Sequence, residues 1–481
     1  MSAPRDYNAA VDMVDRNVAE GHANRTAFVD PARRLSYGEL RRACARVGPM
    51  LSGLGLRREE RFAMIMLDTV DFPVLFWGAI RAGIVPIPLN TLLTAEQYRY
   101  ILEDSRVRVL FVSAPLLAVA QAAAAGVNGL ETIVVVGGDA DLPRFEALMD
   151  ATRSEADPAA TSRDEVAFWL YSSGSTGMPK GVRHVHGSPM ETARRYAQPV
   201  LGIGADDVVF SAAKLFFAYG LGNGMSFPMS VGASAVLLPE RPTPQSVMAV
   251  LAREQPTIFF GVPTLYAAML ADPACTPANG SARLRLCVSA GEALPEPVGL
   301  AWKQRFGVDI LDGVGSTEML HIFVSNRLDR IRYGTSGVPV PGYEARLVDE
   351  QGREVADGEI GELLIRGPSA AEGYWNQREK TRRTFEGEWT RTGDKYLRED
   401  GGFYRYCGRT DDMFKVSGQW VSPFEVESAL ASHPDVLEAA VVPKEDSDGL
   451  LKPKAFIVLK GGASRDAALA EALKAHVKDQ V

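Results

Sequence analysis

The chain has 481 residues, of which 46% are hydrophobic and 23% are charged, and its formal net charge is −8. This composition is typical of a soluble globular protein, and the length exceeds what one compact core usually contains, so we expect at least two domains. The negative charge argues against a surface for nucleic acids, although it does not exclude a local basic pocket. We therefore expect no nucleic-acid partner.

The N-terminus, the apolar segments and the cysteines indicate the compartment. No apolar region typical of a signal peptide follows Met1, and the longest apolar stretch, at 109–127, is interrupted by Ser113, Pro115 and Gln121. The four cysteines, at positions 44, 275, 287 and 407, form no CxxC pair. We expect a cytoplasmic protein with reduced thiols and no membrane span.

Strand and helix patterns alternate along the first two thirds of the chain. Ser36 and Glu39 form a capping box that predicts the start of a helix. The segments RFAMIML, IVPIPLN, RVRVLFVS, TIVVVGG and PTIFFGVP are short apolar runs typical of buried strands. Such strands alternating with helices predict mostly parallel sheets that are covered on both faces.

The pattern changes after about Gly334, where period-two alternation and turn signals predict antiparallel hairpins. The polar segment GRTDDMFKVSG then precedes a final region of helix and strand patterns. We therefore predict an α/β fold with an N-terminal domain at 1–410 and a small α+β domain at 411–481. The N-terminal domain would contain stacked, mostly parallel α/β sheets and a small antiparallel, barrel-like β subdomain at about 334–408. A helical pattern still continues at Val481, so we expect the C-terminal domain to be incomplete.

The segment YSSGSTGMPKG follows the strand pattern EVAFWLY, so it should lie at the carboxyl end of a strand, where open parallel sheets bind ligands. Glycines let successive backbone amides turn inward, hydroxyls add donors, and Lys180 adds a positive charge. These features predict a loop that holds a phosphate chain. A Ser/Gly run is also typical of a flexible surface loop, and the Walker pattern is absent.

Two further segments carry candidate ligand-binding side chains. DILDGVGSTEMLHIF runs from a strand into a turn with Glu318, and a carboxylate beside hydroxyls suits magnesium, although a solvated acid is the commoner case. Asp394 in RTGDKY and Arg409 in GRTDDMFKVSG could bind the two hydroxyls of a ribose. They could equally form a surface ion pair, which would contribute little stability.

Five motifs together resemble the adenylate-forming superfamily, which includes acyl- and aryl-CoA synthetases, luciferases and the adenylation domains of peptide synthetases. The motifs are YSSGSTGMPKG, SAGEALP, GSTE, RTGDKY and GRTDDMFKVSG, and their order and spacing match over essentially the whole chain. Within the superfamily, SAAKLFFAYGLGN and GSTEMLHIF most resemble benzoate–CoA ligases, with the hydroxybenzoate–CoA ligases next.

The resemblance implies binding sites for ATP and Mg²⁺. Glu318 would bind the metal, and the residues that act directly in the reaction would be Lys180, Thr317, Glu318 and Lys415. The residues that would contact the nucleotide are Ser172, Ser173, Gly174, Ser175, Thr176, Gly177, Lys180, Gly291, Glu292, Asp312, Gly313, Ser316, Thr317, Asp394 and Arg409.

The resemblance also implies a pocket for the acid. Its lining would be Ala218, Tyr219, Ala290, Gly315, His321 and Ile322. A flat aromatic acid fits between a tyrosine ring and small residues. Alternatively, His321 could be a hydrogen-bonded residue at the start of a helix. Phe217 stands where many relatives carry histidine, which would make the pocket floor apolar and favour an unsubstituted ring.

Coenzyme A and a domain rotation are implied as well. Asp411 would be the hinge between the two domains, and Ser417, Gly418 and Trp420 would face the pantetheine arm of CoA, with Gly418 permitting close approach. Lys415 would reach the carboxylate or a phosphate in one orientation. Relatives continue past Val481 with a further lysine used in adenylation, so we expect a shortened chain.

These expectations describe an AMP-forming ligase that converts benzoate, or a close aromatic acid, to its CoA thioester through an aroyl-adenylate. ATP, Mg²⁺ and CoA would be required, and no protein nucleophile is needed. The alternatives are a ligase for 4-hydroxybenzoate or another substituted benzoate, a carrier-protein-loading adenylation domain, and a non-catalytic sensor that binds adenylates. The sequence leaves the oligomeric state open, a homodimer included.

Overall fold

The computed structural model describes residues 6–172, 178–410, 412–416, 419–445, 451–461 and 465–480, without the side chains of 415, 419, 420 and 451. Within these ranges, every helix is too short or too polar to cross a lipid bilayer. The alternation of strands and helices that the sequence predicts is present along the first two thirds of the chain.

The strands are numbered in chain order. They are β1 Thr26–Val29, β2 Arg34–Ser36, β3 Arg61–Ile65, β4 Val85–Pro88, β5 Val109–Ser113, β6 Thr132–Val136, β7 Val166–Ser172, β8 Lys180–Val185, β9 Val208–Ser211, β10 Ser234–Val236, β11 Ile258–Gly261, β12 Leu286–Ser289, β13 Ile310–Gly315, β14 Ile322–Ser325, β15 Val338–Pro339, β16 Glu344–Val348, β17 Gly361–Arg366, β18 Gly373–Tyr374, β19 Phe385–Glu386, β20 Trp389–Glu399, β21 Phe403–Arg409, β22 Phe414–Val416, β23 Gln419–Val421, β24 Val436–Glu445 and β25 Leu451–Leu459.

The helices are numbered in the same way. The α-helices are α1 Arg16–Ala19, α2 Tyr37–Gly53, α3 Asp71–Arg81, α4 Ala95–Ser105, α5 Leu117–Ala124, α6 Phe145–Ala151, α7 Ser188–Thr192, α8 Ala218–Leu221, α9 Phe227–Met229, α10 Pro244–Glu254, α11 Pro263–Ala271, α12 Glu296–Phe306, α13 Arg378–Thr384, α14 Pro423–Ala431 and α15 Ala467–Gln480. Segments with π-helical hydrogen bonding are Val11–Asp15, Ala193–Ala197 and Gly222–Ser226, and 3₁₀ turns are Ala114–Leu116 and Pro277–Asn279.

Two largely parallel sheets form the main body, as the apolar strand patterns predict. One has the order β4-β3-β5-β6 and is parallel throughout. The other has the order β15-β14-β13-β12-β11-β9-β10-β1-β2, and its strands from β13 to β1 run parallel. Because these strands are apolar along their whole length, both faces of each sheet must be covered, and helices cover them.

Helices α2 and α3 pack closely because glycine lies at their contact. A β-carbon added at Gly78 would lie 2.5 Å from Cβ of Val47, so only hydrogen fits there. Every residue of α3 from Phe72 to Arg81 is buried. This helix therefore lies within the core, as its uninterrupted apolar sequence indicates.

The region that the sequence predicts to be antiparallel does form antiparallel strands, in the order β16-β17-β20 with β21 and β19 also paired to β20. Beyond it, α14, β24 and α15 share a small apolar cluster of Leu430, Val436, Val441 and Leu473, against which Ile457 and Leu459 of β25 pack. The predicted α/β fold with an antiparallel subdomain and a small C-terminal α+β region is confirmed. The domain boundary at 410 stays a prediction.

Helix α2 carries the complete capping box that the sequence predicts. Glu39 N donates to Ser36 Oγ at 3.3 Å, and Ser36 N donates to Glu39 Oε2 at 2.8 Å. Replacing Ser36 with alanine removes the first bond, and we expect a loss of about 1 kcal/mol of unfolding free energy. Scanning calorimetry should show a lower unfolding temperature for Ser36→Ala. Ser52→Ala, an exposed serine on the same helix, should not lower it, and equal effects would contradict a specific cap.

Candidate active site

A cavity of about 860 Å³ opens where several parallel strands of the larger sheet end. Ala212, Val262, Ala290 and Ser316 line it, and each directly follows the last residue of β9, β11, β12 or β13. This is the edge at which open α/β sheets bind ligands, because diverging loops leave a crevice there.

The six residues predicted to contact the acid all line this one cavity: Ala218, Tyr219, Ala290, Gly315, His321 and Ile322. They come from three separate stretches of the chain, and the sheet brings them together. Phe217 also lines the cavity but is 49% exposed. Its place in the pocket floor stays a prediction, and Ala290, His321 and Ile322 are buried residues of the same lining.

His321 is a buried, neutral ring held by two acceptors. Its Nε2 lies 3.0 Å from Asn223 Oδ1 and 3.3 Å from the Tyr219 carbonyl oxygen. Because the carbonyl can only accept, we place the ring proton on Nε2. Burial lowers the pKa of His321 to about 3, so the ring is uncharged at neutral pH. His321 precedes strand β14 rather than a helix, so the alternative of a helix-start residue is wrong.

Tyr219 contributes a ring with a fixed orientation. Its hydroxyl lies 3.2 Å from the Gly261 carbonyl oxygen and 3.1 Å from that of Val288, both at strand ends. The centroid of its ring is 5.6 Å from that of His321. The acid pocket is therefore bordered by two rings, with the Tyr219 hydroxyl and His321 Nε2 held by protein groups, whereas His321 Nδ1 has no hydrogen-bond partner among the described residues.

The turn between β13 and β14 joins this pocket to a charged region. Ser316 and Thr317 still line the cavity, whereas Glu318, the next residue, contacts Tyr374. The turn is closed by Leu320, which has a φ of 66° although it is not glycine. A left-handed backbone at a buried leucine costs free energy and persists only where surrounding contacts enforce it.

Neighbouring backbone contacts supply that enforcement. Ala371 N donates to the Glu318 carbonyl oxygen at 2.8 Å, and Ser369 Oγ donates to the Met319 carbonyl oxygen at 2.7 Å. Leu320 N donates to the Thr317 carbonyl oxygen at 3.1 Å. The segment 369–371 therefore fixes the turn that carries the two predicted reactive residues.

Lys180 and Glu318 meet at one tyrosine ring. Lys180 Nζ lies 4.6 Å from the centroid of Tyr374, and the Tyr374 hydroxyl donates to Glu318 Oε1 at 2.8 Å. Lys180 is the first residue of β8, at the end of the predicted phosphate loop, so the structure places a cation and a carboxylate around one ring.

Asp394 and Arg409 form the ion pair that the sequence left as an alternative. They are cross-strand partners on β20 and β21, with 2.8 Å between Arg409 Nη1 and Asp394 Oδ1. Burial raises the pKa of Asp394 to about 6, although Arg409 opposes this. Glu318 also raises the pKa of Asp394, so these carboxylates interact electrostatically.

Four of the residues predicted to contact the nucleotide, Gly291, Glu292, Asp312 and Gly313, have two different positions. Gly291 and Glu292 are exposed and line the cavity beside Ser316 and Thr317. Asp312 and Gly313 lie within β13, and the Asp312 side chain is only 3% exposed. Burial raises the pKa of Asp312 well above its ordinary value. We therefore expect a nucleotide to contact the residues around Asp312 at the strand end rather than its buried carboxylate.

Several predicted residues lie outside the described residues. These are Ser173, Gly174, Ser175, Thr176 and Gly177 of the loop, the hinge residue Asp411, and Ser417 and Gly418. The side chains of Lys415 and Trp420 are outside them as well, although their backbones pair between β22 and β23. Ser172 is described at the end of β7, opposite Lys180 on β8.

Mg²⁺ fits the charged region only as an ion that the protein and the nucleotide bind together. Among the described residues, no group of three or more histidine, cysteine or acidic side chains could hold a metal ion alone. Mg²⁺ typically binds one or two carboxylates together with substrate phosphates. Glu318, beside Lys180 and close to Asp394, has the chemistry of such a single protein ligand.

The sequence did not identify a second support of the pocket, formed by Asp68 and Lys214. Leu215 N donates to Asp68 Oδ1 at 3.3 Å, Lys214 Nζ lies 4.0 Å from Asp68 Oδ2, and Lys214 Nζ donates to the Glu240 carbonyl oxygen at 2.7 Å. Burial raises the pKa of Asp68 to about 6. The sequence around Asp68, a single acid after an apolar strand, does not indicate this role, because its partner lies almost 150 residues away.

Comparison with protein families gives two matches. The AMP-binding enzyme family matches residues 15–375, and the C-terminal domain of AMP-binding enzymes matches residues 425–481.

Curated relatives match over nearly the full chain. The 4-hydroxybenzoate–CoA/benzoate–CoA ligase of Rhodopseudomonas palustris is 63% identical over 480 residues, covering 99% of this chain and 89% of the relative. The benzoate–CoA ligase of Thauera aromatica is 56% identical over 478 residues, covering 99% and 90%.

Solved structures agree with these relatives. A benzoate CoA ligase from Burkholderia xenovorans superposes with a TM-score of 0.92 at 50% identity, covering 99% of this chain and 94% of that one. The anthranilate CoA ligase AuaEII, in complex with anthranoyl-AMP, gives a TM-score of 0.94 at 42% identity, covering 100% and 92%.

A methyl group added at Gly222 would collide with the His321 ring of the pocket. A β-carbon there would lie 2.4 Å from Cδ2 and 2.8 Å from Nε2 of His321. Gly222→Ala should therefore displace His321 and weaken benzoate binding by about tenfold to a hundredfold. Titration calorimetry measures this directly. Gly204→Ala, where the added carbon would meet nothing within 4 Å, should bind normally. Unchanged binding by Gly222→Ala would show that His321 does not shape the acid site.

Proposed function

Because the chain belongs to the AMP-binding enzyme family, we propose that it is an acid–thiol ligase that converts benzoate to benzoyl-CoA with ATP and CoA. The observation that carries this proposal is a cavity with two ring walls, Tyr219 and His321, next to the Lys180–Tyr374–Glu318 cluster. An apolar aromatic acid and a polyphosphate could therefore be bound side by side. Identities of 63% and 56% to the two curated ligases support the same activity.

The first half-reaction activates the acid. A carboxylate oxygen of benzoate attacks the α-phosphorus of ATP, the bond to the β-phosphate oxygen breaks, and pyrophosphate leaves with that electron pair. The product is benzoyl-adenylate. The cavity reaches Thr317 through Ser316, so Thr317 is the residue that we assign to the α-phosphate.

Charge that develops on the phosphate oxygens requires preorganised positive groups and donors. We assign Lys180 and the amides of the loop from Ser172 to the β- and γ-phosphates. Glu318 would hold Mg²⁺, which when bound neutralises phosphate charge. Asp394 and Arg409 would bind the ribose, and Gly291, Glu292, Asp312 and Gly313 would surround the adenine.

The second half-reaction forms the thioester. The thiol sulfur of CoA attacks the benzoyl carbonyl carbon, loses its proton, and displaces AMP with the bridging oxygen. We assign Ser417, Gly418 and Trp420 to the pantetheine arm, Asp411 to the hinge, and Lys415 to the carboxylate or phosphate in one domain orientation. No cysteine is needed as a nucleophile, and the described cysteines are all buried.

Two variants of this function differ in the ring of the acid. The Tyr219 hydroxyl and His321 Nε2 are engaged by protein groups, so neither is available to a ring substituent, which favours benzoate. His321 Nδ1 has no partner among the described residues and is the ring atom that could accept from a substituent. The 63% identical relative carries both 4-hydroxybenzoate and benzoate in its name, so 4-hydroxybenzoate is the second candidate substrate.

A panel of acids tests the proposal. Each acid is supplied with ATP, Mg²⁺ and CoA, and AMP release and thioester formation are measured together. We expect benzoate to be used with the highest kcat/KM and medium-chain fatty acids to be used poorly. Preference for a fatty acid would contradict an aromatic pocket. AMP release without thioester formation from free CoA would instead favour a carrier-loading domain, and tight adenylate binding without turnover would favour a sensor.

The raised pKa of Asp394 predicts a pH dependence of ATP binding. Because the pKa of Asp394 is raised to about 6, the carboxylate loses its charge as the pH falls through that value and accepts ribose hydroxyls less well. ATP affinity should therefore fall several-fold from about pH 7.5 to about pH 5. Asp394→Asn should bind more weakly and lose this step.

Asp68→Asn is the matched control, because burial raises the pKa of Asp68 to about 6 as well but Asp68 lies at the acid pocket. It should retain the pH step of ATP affinity. If Asp394→Asn retains the step and Asp68→Asn loses it, the ribose assignment of Asp394 is wrong.

A further inference from the structure

Tyr374 contacts two residues of the candidate phosphate region but belongs to none of the five sequence motifs. Its hydroxyl donates to Glu318 Oε1 at 2.8 Å, and its ring lies 4.6 Å from Lys180 Nζ. One side chain therefore touches both the carboxylate assigned to the metal and the cation assigned to the phosphates.

The fold leaves Tyr374 little freedom. It lies on β18, which pairs with β8 so that Tyr374 is opposite Val182, two residues from Lys180. The backbone N of Tyr374 donates to Thr381 Oγ1 at 3.0 Å, and Tyr374 is only 4% exposed. The ring also packs against Phe385, with 5.6 Å between centroids. Backbone pairing and packing both fix the position of the hydroxyl.

The hydrogen bond has a defined direction. A phenol, whose ordinary pKa is about 10, keeps its proton at neutral pH and donates to the Glu318 carboxyl oxygen. A donor to one oxygen stops the carboxylate from rotating and gives its second oxygen one position. Such a donor is the usual support of a metal-binding carboxylate.

We propose that Tyr374 is a positioning residue for adenylation: its hydroxyl orients Glu318 toward Mg²⁺-ATP while its ring holds Lys180 beside the same phosphates. This inference rests on the proposed function, because it takes Glu318 as the metal ligand. It adds a residue from β18, a strand that is remote in sequence from both groups it orients.

Tyr374→Phe isolates the hydroxyl, because phenylalanine keeps the ring beside Lys180 and the packing against Phe385. The first measurement is calorimetry of ATP binding with and without Mg²⁺, in the absence of any acid. The gain in ATP affinity on adding Mg²⁺ should be smaller in Tyr374→Phe than in the wild type by about tenfold or more, whereas metal-free affinity should be nearly unchanged.

The second measurement separates the half-reactions. Formation of benzoyl-adenylate from ATP and benzoate should slow by about tenfold to a hundredfold in Tyr374→Phe, and CoA attack on supplied benzoyl-adenylate should keep its rate. Tyr7→Phe is the matched control, because the Tyr7 hydroxyl also donates to a carboxylate, Asp12 Oδ2 at 2.7 Å, and neither residue lines the cavity. It should match the wild type in both measurements.

The two measurements fail in different ways. An identical effect of Mg²⁺ on ATP binding in Tyr374→Phe and wild type would overturn the positioning role, and so would equal slowing of both half-reactions. A wild-type protein that makes no adenylate from benzoate would contradict the proposed function instead. In that case the calorimetry, which uses only ATP and Mg²⁺, still decides the role of Tyr374.

Discussion

The short turn from Gly315 to His321 has to serve two opposite environments, and the rest of the site depends on how it does so. Gly315 and His321 face the apolar cavity, and Glu318, three residues from either, points to Tyr374 and the charged cluster. A turn this tight is held by backbone contacts from 369–371 and closes with a left-handed leucine, Leu320. The surrounding packing offsets the free-energy cost of that unfavourable backbone conformation. Because the turn is fixed, it would hold the proposed acid and phosphate sites at a fixed distance from each other.

The two environments need different physical chemistry. An aromatic ring is bound by apolar contact, so the polar atoms of the pocket must be used internally, as Nε2 of His321 and the Tyr219 hydroxyl are. Phosphates require the reverse, namely charged groups and donors aimed at the ligand. Because His321 is neutral, its imidazole adds no positive charge to the site of the aromatic ring. The carboxylate of the acid is the one part of the substrate that must reach from the first environment into the second.

Much of this arrangement could be predicted from the sequence because the signals are local. The capping box of α2, the parallel strands and the antiparallel region follow from local residue patterns, and the pocket residues were implied by the resemblance of the motifs to those of aryl-CoA ligases. Tyr374 and Asp68 could not be predicted, since each acts on a partner about 50 to 200 residues away through strand pairing or sheet packing.

The central claim is that a carboxylate oxygen of the acid attacks the α-phosphorus of ATP within this single site. Benzoate labelled with ¹⁸O in both carboxylate oxygens tests it most directly, with complete turnover in the presence of ATP and CoA and mass analysis of the products. The account predicts that AMP carries one ¹⁸O atom and pyrophosphate carries none, because the attacking oxygen stays on the α-phosphate when CoA displaces AMP. Label in pyrophosphate or inorganic phosphate, or unlabelled AMP accompanying benzoyl-CoA, would contradict it.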